Sequence, residues 1–400
     1  MATRLSSLPN KHPLTKLIKK SVKARIRRHK SPLHNLARAY RINPQKTEML
    51  LTDGRNPAKL RKIPFTIKIA ADKEEAKAQD KAEAGAVRIY TDGSAHDGLV
   101  GAAVVLWKKG KKSKILRFQL GTAEEHTVFE AKLVGLILGL QLATENIQGK
   151  ANITVGIDNQ ATIKAMKSKL NKPGHYLAAE VLKCTSQLHK KLGNKSLIKL
   201  CWMPGHVGIK GNEEADVEAK KATEGQTSRP DKLPHTLKNK IKISKSALNQ
   251  SFKEKRRKEW KEEWSKSPRY KRAKSIDSSL LSKKFMALIS NPKISRAATS
   301  KIFQLRTRHI PLKAYLHKIK CAQDASCDKC GYPREMPQHY LLECPEYEKE
   351  RRRLLEGRSG SKRKFASLVT DEEHICKLAN YITETKRFHE VEVPVEGKGS

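Results

Sequence analysis

No apolar run in this sequence reaches the ~18 residues that a membrane-spanning helix requires. Acidic residues are few, with 41 Asp and Glu against 83 Lys and Arg, so the formal net charge is +42. Such a chain suits polyanions, because bound Lys and Arg displace counterions from phosphate backbones. The basic first thirty residues lack the apolar core of a signal peptide. We therefore expect an intracellular protein that binds nucleic acid and no membrane, in the nucleus rather than the cytoplasm.

Cysteine is also scarce, with seven residues in 400. An odd number, partly clustered around a histidine, argues against a disulfide framework and for reduced thiols that bind a metal. The spacing is Cys327-x2-Cys330-x8-His339-x4-Cys344, and three thiolates with one imidazole suit tetrahedral zinc. We predict a structural zinc ion at these four residues. Cys321 is an alternative ligand, and a degenerate module without metal is the competing interpretation.

Charge and apolar patterning divide the chain into six segments, of which one has the regular pattern of a folded α/β domain. Residues 1–50 hold thirteen Lys or Arg and one acid, and residues 253–274 hold eleven Lys or Arg and four acids. The predicted segments are a basic helical arm (1–50), a linker (51–85), the α/β domain (86–224), a basic linker (225–275), a helical region with the cysteine and histidine set (276–350) and a charged tail (351–400).

Within residues 86–224 the periodicity predicts three strands, a helix, a strand, two helices, a strand and a final helix. The first helix, His126–Leu142, repeats apolar residues at the spacing of one helical face. This order of elements is typical of a five-stranded mixed sheet with flanking helices.

Four carboxylates stand at unusual places in this pattern: Asp92 after the first strand, Glu130 inside the apolar helix, Asp158 after the fourth strand, and Asp216 in the last helix. Taken singly, these residues suit a turn, a helix surface, a helix cap and a helical first turn. If the first and fourth strands are neighbours, however, Asp92 and Asp158 lie side by side. Clustered carboxylates need cations, and their oxygens suit Mg²⁺ or Mn²⁺.

Four blocks carry a family resemblance: Tyr90-Thr91-Asp92-Gly93-Ser94, Phe129-Glu130-Ala131, Ile157-Asp158-Asn159-Gln160, and Trp202 to Asp216. Together they resemble type 1 ribonuclease H. The resemblance implies a ribonuclease H-like fold and two Mg²⁺ or Mn²⁺ ions held by Asp92, Glu130, Asp158 and Asp216. It also implies that His206 assists proton transfer or product release.

Substrate recognition is expected beside the first and third blocks. Backbone at Gly93 and Ser94 and the side chains of Asn159 and Gln160 are the predicted contacts to the 2′-hydroxyl that distinguishes RNA from DNA. Many cellular members carry a basic protrusion with a tryptophan, which residues 168–195 lack. Hybrid binding is then expected to involve the basic arm and residues 253–274, which include Trp260, Trp264 and Tyr270.

Two outer segments, 31–36 and 304–312, resemble the regions that flank the ribonuclease H domain in fungal LINE-type retrotransposon polyproteins. The sequence has no Tyr-x-Asp-Asp polymerase signature. The resemblance implies the C-terminal portion of such a polyprotein. The predicted function is endonucleolytic hydrolysis of the RNA strand in RNA–DNA hybrids. The alternatives are a nucleic-acid-binding protein with an idle nuclease site and a related integrase or resolvase acting on DNA; protein partners are left open.

Overall fold

The structure is a computed structural model, and it divides into two compact units, Met1–Arg256 and Arg257–Ser400. It describes residues 5, 7–8, 12–23, 32, 35, 38, 42–43, 45–50, 65–82, 87–167, 172–193, 196–205, 207–277, 283–355 and 364–388. No helix among these residues combines the length and the apolarity needed to cross a membrane.

A mixed six-stranded sheet forms the centre of the first unit. Its strands are β1 Phe65–Lys68, β2 Val87–His96, β3 Leu99–Lys108, β4 Lys111–Thr122, β5 Asn152–Ile157 and β6 Leu197–Trp202. The spatial order is β1-β6-β5-β2-β3-β4. Strands β1, β6, β5 and β2 are parallel, whereas β2, β3 and β4 form an antiparallel meander.

The predicted count of five strands is wrong by one. Strand β1 comes from the segment predicted as a linker, and it pairs in parallel with β6, with Phe65 opposite Ile198. Strand β1 has four residues that alternate between half-buried and exposed, and so short an apolar pattern in the sequence cannot be distinguished from that of a coil. The edge of β6 that accepts this strand exists only after the sheet has formed.

The described residues of the first unit form the helices α1 Pro13–Lys23, α2 Lys73–Ala82, α3 Val128–Asn146, α4 Gln160–Lys167, α5 His175–Leu192, α6 Lys210–Thr223 and α7 Lys245–Ser265, which continues into the second unit. Helices α3, α4 and α6 pack on the sheet. Helix α3 is buried almost all round, because it packs on β2 and β3 on one side and on α5 on the other. The amphipathic face predicted for it is therefore only part of a wider buried surface.

The segment after residue 224 does not begin as the predicted linker. Leu233 and Leu237 join the hydrophobic core of the first unit, and Ile243 forms a parallel bridge with Thr47. Glu48, the one acid of the predicted basic arm, is buried and accepts hydrogen bonds from the backbone N–H groups of Gly174 (2.6 Å) and Lys245 (2.7 Å). These contacts attach the end of the arm to the domain.

Short helices build the second unit: α8 Tyr270–Ile276, α9 Lys283–Ile289, α10 Arg296–Thr307, α11 Lys313–Lys318, α12 Glu348–Leu354, α13 Phe365–Leu368 and α14 Glu372–Glu384. The predicted charged tail contains α13 and α14, and Leu378 and Tyr381 of α14 lie in this unit's core. The side chain of Glu335 is also buried, where it pairs with Arg387 at 2.6 and 2.8 Å. In the segment predicted as a tail, charged residues alternate with the apolar residues of a helical face. The overall charge of the segment therefore did not indicate that it is partly buried.

Candidate functional site

Asp92 and Asp158 lie at neighbouring positions in the sheet. Strands β2 and β5 pair in parallel with Thr91 opposite Ile157, so the two aspartates follow directly on adjacent strands. Asp92 lies within β2 rather than in a turn. The hairpin turn is Asp97-Gly98, where both residues have positive φ.

A lysine stands between these two aspartates. The Lys132 ammonium nitrogen lies 2.5 Å from Asp92 Oδ1 and 2.7 and 2.8 Å from the two carboxylate oxygens of Asp158. The Lys132 side chain is 8% exposed. Gly93 permits this approach, because a Cβ atom at that position would lie 2.6 Å from the backbone nitrogen of Lys132. Lys132 is not among the site residues that the sequence pattern predicts.

The electrostatics of the three groups are those of a buried ion-pair cluster. Burial raises the pKa of Asp92 to about 6, and the neighbouring Asp158 adds to this effect, while Lys132 opposes it. Burial lowers the pKa of Lys132, but contact with Asp92 and Asp158 more than offsets this, and the net shift is upward. Lys132 therefore stays charged at neutral pH, as the partner that keeps buried carboxylates ionised.

Glu130, predicted as a metal ligand, has the contacts of a helix cap. Its Oε2 accepts hydrogen bonds of 2.9 Å from the backbone nitrogen and the hydroxyl of Thr127, and the Thr127 hydroxyl accepts from the Glu130 backbone, which completes a capping box. Residues two positions apart in an α-helix, such as Glu130 and Lys132, are separated by roughly 200° around its axis. Lys132 faces the aspartates, so Glu130 points to a different side of α3.

Asp216, the fourth predicted ligand, pairs with a second lysine. Helix α6 packs on β2 and β3, and Asp216 accepts a hydrogen bond of 2.8 Å from Lys220 one turn later. The pKa of Lys220 is raised by this hydrogen bond with Asp216 and, more weakly, by the charge of Asp92. Three of the predicted carboxylates thus lie in one region, each with a lysine close to it.

This donor set does not fit a pair of divalent cations as it stands. The ammonium of Lys132 contacts oxygens of both aspartates, whereas a bound Mg²⁺ would need the same oxygens at about 2.0–2.1 Å. Two unit charges 4 Å apart repel by ~4 kcal/mol near a protein surface, so a divalent ion beside Lys132 would face about twice that. The lysine already supplies the positive charge that the carboxylates require.

The predicted substrate-contact residues have local structural roles. Gly93 is buried against α3, and Ser94 is half-buried. Asn159 Oδ1 accepts hydrogen bonds from the backbone nitrogens of Ala161 and Thr162, so this side chain caps α4. Gln160 Oε1 accepts a hydrogen bond of 3.1 Å from Lys164. His206 lies outside the described residues.

Replacing Glu130 by Gln is expected to stabilise the protein at alkaline pH. Burial and then the charge of Glu48 raise the pKa of Glu130 to about 7, although hydrogen bonds with Thr127 oppose the shift. Folding therefore favours the protonated carboxyl, whose contribution is complete below pH 4.5 and is lost as the pH rises through 7. A shift of this size corresponds to ~3 kcal/mol.

Urea unfolding at pH 5 and pH 8 measures this effect. The Glu130→Gln variant should have a higher free energy of unfolding than the parent at pH 8. At pH 5 the two values should match, because Gln preserves a capping-box acceptor. Glu145→Gln, an exposed position on the same helix, is the matched control and should change neither value. A variant less stable than the parent at pH 8 would instead show that an ionised Glu130 is required.

The four residues of the predicted zinc set come together in the second unit. One ligand atom from each of Cys327, Cys330, His339 and Cys344 lies within 4.8 Å of the others. The Cys330 sulfur is 3.3 Å from His339 Nε2, so Nε2 is the ring nitrogen that faces the cysteines. Such separations suit one tetrahedral ion with bonds of about 2.0–2.3 Å. Cys321 is exposed and lies outside this group.

The surroundings of His339 also suit a metal ligand. Its Nδ1 faces a carboxylate oxygen of Glu343 at 3.8 Å, and Tyr332 stacks on the imidazole with ring centroids 4.4 Å apart. Metal-binding histidines commonly use the second nitrogen to bind a carboxylate that orients the ring. The histidine is buried, and within the described part of the chain its Nδ1 has no hydrogen-bond partner.

Comparison with known proteins identifies the first unit's domain. Residues 84–224 match the family model of RNase H, so the chain contains an RNase H domain at these positions. No curated protein matches the chain.

Solved structures that are similar to part of the chain include the following three. RNase H1 from the halophilic archaeon Halobacterium salinarum NRC-1 is 19% identical over 35% of this chain and 99% of its own, with a TM-score of 0.27. The N-terminal RNase H domain of a Mycobacterium tuberculosis protein, fused to maltose-binding protein, is 22% identical over 34% of this chain and 98% of its own, with a TM-score of 0.28. LC11-RNase H1 in complex with an RNA/DNA hybrid is 20% identical over 35% of this chain and 97% of its own, with a TM-score of 0.28.

Proposed function

We propose that this chain, through its RNase H domain at residues 84–224, binds RNA–DNA hybrids, and that Lys132 holds the paired aspartates where a nuclease would hold divalent cations. The observation that carries the proposal is the contact of one buried ammonium with Asp92 and Asp158. The RNase H family match and the formal charge of +42 support a nucleic-acid partner.

Lys132 changes the chemistry available at the end of the strands. Two-metal hydrolysis of a phosphodiester depends on cations that activate a water and stabilise the leaving oxygen. An ammonium group offers three N–H donors and no coordination position, so it neutralises carboxylates without activating water. The described site therefore preserves the architecture of the domain and favours binding over cleavage. Hybrid recognition in this protein rests on shape and on phosphate contacts.

The second candidate function is metal-dependent cleavage of the RNA strand. It is favoured by the RNase H family match and by the adjacency of Asp92 and Asp158, with Asp216 on the facing helix. For this function Lys132 must leave the aspartates when magnesium or manganese binds. The two candidates differ in one measurable respect, namely whether removing the lysine charge increases or decreases metal-dependent activity.

The Lys132→Glu variant tests the two candidates directly. We expect the parent protein to bind labelled hybrid without cutting it in magnesium or manganese, and the variant to gain hybrid cleavage. Glutamate at this position replaces the internal cation with a third carboxylate directed at Asp92 and Asp158. Magnesium at 100 times its Kd should then stabilise the variant by ~2.7 kcal/mol in thermal unfolding, with no shift in the parent.

Lys132→Met is the matched control, since it removes the charge and adds no ligand. It should gain neither metal binding nor cleavage. Double-stranded RNA and duplex DNA, offered alongside the hybrid, measure selectivity. Efficient cleavage of hybrid by the parent protein, undiminished in Asp92→Asn, would indicate a contaminating nuclease. Parent cleavage that Asp92→Asn abolishes and Lys132→Glu does not increase would establish the second candidate.

In the second unit the function proposed for the cysteine and histidine set is structural. Four protein ligands complete the coordination of zinc, so no position remains for water or substrate. Cys327, Cys330, His339 and Cys344 would hold the ion, and the ion would supply folding energy to the segment that carries them. Descent of the whole chain from a fungal LINE-type polyprotein stays a prediction of the sequence resemblance.

A further inference from the structure

Helix α7 leaves most of its surface exposed. Of its 21 residues, Lys245–Ser265, Ala247 is the one that is fully buried. From Lys253 to Glu263 every residue is exposed. A helix without a buried apolar face gains little from tertiary packing. Aromatic residues on such a helix are therefore available for contact with another molecule.

Two of the four tryptophans of the chain lie on this helix. Trp260 and Trp264 are one turn apart, with ring centroids separated by 6.2 Å and planes within 5° of parallel. Tyr270, at the start of α8, meets Trp264 edge-on at 6.4 Å. Trp260 is 36% exposed, and the other two rings are half-buried. The three rings form an aromatic ladder on the surface of the second unit.

Positive charge surrounds this ladder. Residues 253–274 contain eleven Lys or Arg against four acids. Within the described part of the chain, no carboxylate forms an ion pair with Lys258, Lys261, Lys266 or Lys271. An open groove beside Tyr270 is lined by Lys266, Lys271 and Lys274 with serines and Pro268. Lysines without a carboxylate partner, next to partly exposed rings, match a ligand that carries both phosphates and flat aromatic groups.

The geometry favours an unpaired strand over a duplex. In a hybrid or a duplex the base faces are covered by their neighbours, so a surface ring cannot stack on them. In single strands each base offers a face, and stacking on an aromatic residue contributes ~1–3 kcal/mol per base. A membrane surface fits less well, since Glu259, Glu262 and Glu263 interrupt the apolar face that an interfacial helix needs.

We propose that the aromatic ladder of Trp260, Trp264 and Tyr270 binds single-stranded nucleic acid, with bases stacked on the rings and phosphates on the neighbouring lysines. This site is separate from the RNase H domain and does not depend on the function proposed there. Its ligand chemistry is common to RNA and DNA, since stacking reads the base face rather than the sugar.

The full-length protein and fluorescent 12-nucleotide probes of RNA, DNA and blunt hybrid test the proposal by anisotropy. The tryptophan pair is changed to Leu in one variant and to Phe in the other. Trp260→Leu with Trp264→Leu keeps apolar bulk and helix propensity but removes the π faces, and single-strand affinity should fall at least ~25-fold, about fivefold for each ring. Phe at both positions should restore most of that loss. Hybrid affinity should change less than twofold in both variants.

Three outcomes would overturn the proposal. If the Leu variant binds single strands as tightly as the Phe variant, simple apolar contact explains the binding. If hybrid and single-strand affinity fall together, the helix is a general polyanion surface. If neither changes while binding to phosphatidylserine vesicles is lost, the ladder is a membrane contact. A preference for one probe between RNA and DNA would identify the natural strand and leave the stacking site in place.

Discussion

Replacing Lys132 by Met is expected to lower the free energy of unfolding of the first unit by about 3–5 kcal/mol at pH 7. The substitution preserves much of the side-chain volume but leaves Asp92, which is 5% exposed, without its cation. Removing one partner of a buried ion pair costs more than the pair contributes, because the remaining carboxyl must either stay charged without a partner or take up a proton on folding. Urea unfolding followed by tryptophan fluorescence measures the change.

Two further variants separate this effect from general packing. Adding Asp92→Asn to the Lys132→Met variant removes the buried carboxylate that has lost its partner. This should recover a large part of the lost free energy of unfolding, since Asp158 is more exposed and remains solvated. Lys220→Met removes the exposed partner of Asp216 and should cost less than ~1 kcal/mol. Equal, small losses from Lys132→Met and Lys220→Met would show that the ammonium contacts contribute no more than a surface pair.

Removal of zinc is expected to unfold the cysteine and histidine segment. Structural zinc contributes about 10–16 kcal/mol in small zinc-binding peptides, which is as large as the ~5–15 kcal/mol net stability of a typical domain. Protein purified without chelator should contain one zinc per chain. A strong chelator should then expose the region around residues 327–344 to limited proteolysis, and the first unit should resist cleavage as before.

Cysteine variants provide the matched comparison for the zinc prediction. Cys330→Ser should reproduce the effect of the chelator, because the serine hydroxyl is a poor zinc ligand. Cys321→Ser changes an exposed cysteine outside the ligand group and should retain the ion. Absence of zinc in the purified protein, together with unchanged proteolysis of Cys330→Ser, would mean that the four side chains meet for packing alone.

Features that depend on local pattern and chain order could be predicted before the fold was known. The strand periodicity placed Asp92 and Asp158 at strands β2 and β5, and it predicted two carboxylates at one place if these strands are neighbours, which they are in the sheet. The cysteine and histidine set was accessible for the same reason, since Cys327, Cys330, His339 and Cys344 lie within one short segment and their spacing limits their separation.

Which side chain of α3 reaches those aspartates depends on how the helix packs in the folded domain. Glu130 and Lys132 point to opposite sides of the helix, and an amphipathic pattern normally reveals which side faces the core. Helix α3 is buried between the sheet and α5, so its apolar residues surround it and leave its rotation undetermined by sequence. Packing of Gly93 against the backbone of α3 fixes that rotation. It directs Lys132 to Asp92 and Asp158, and it directs Glu130 to the cap at Thr127.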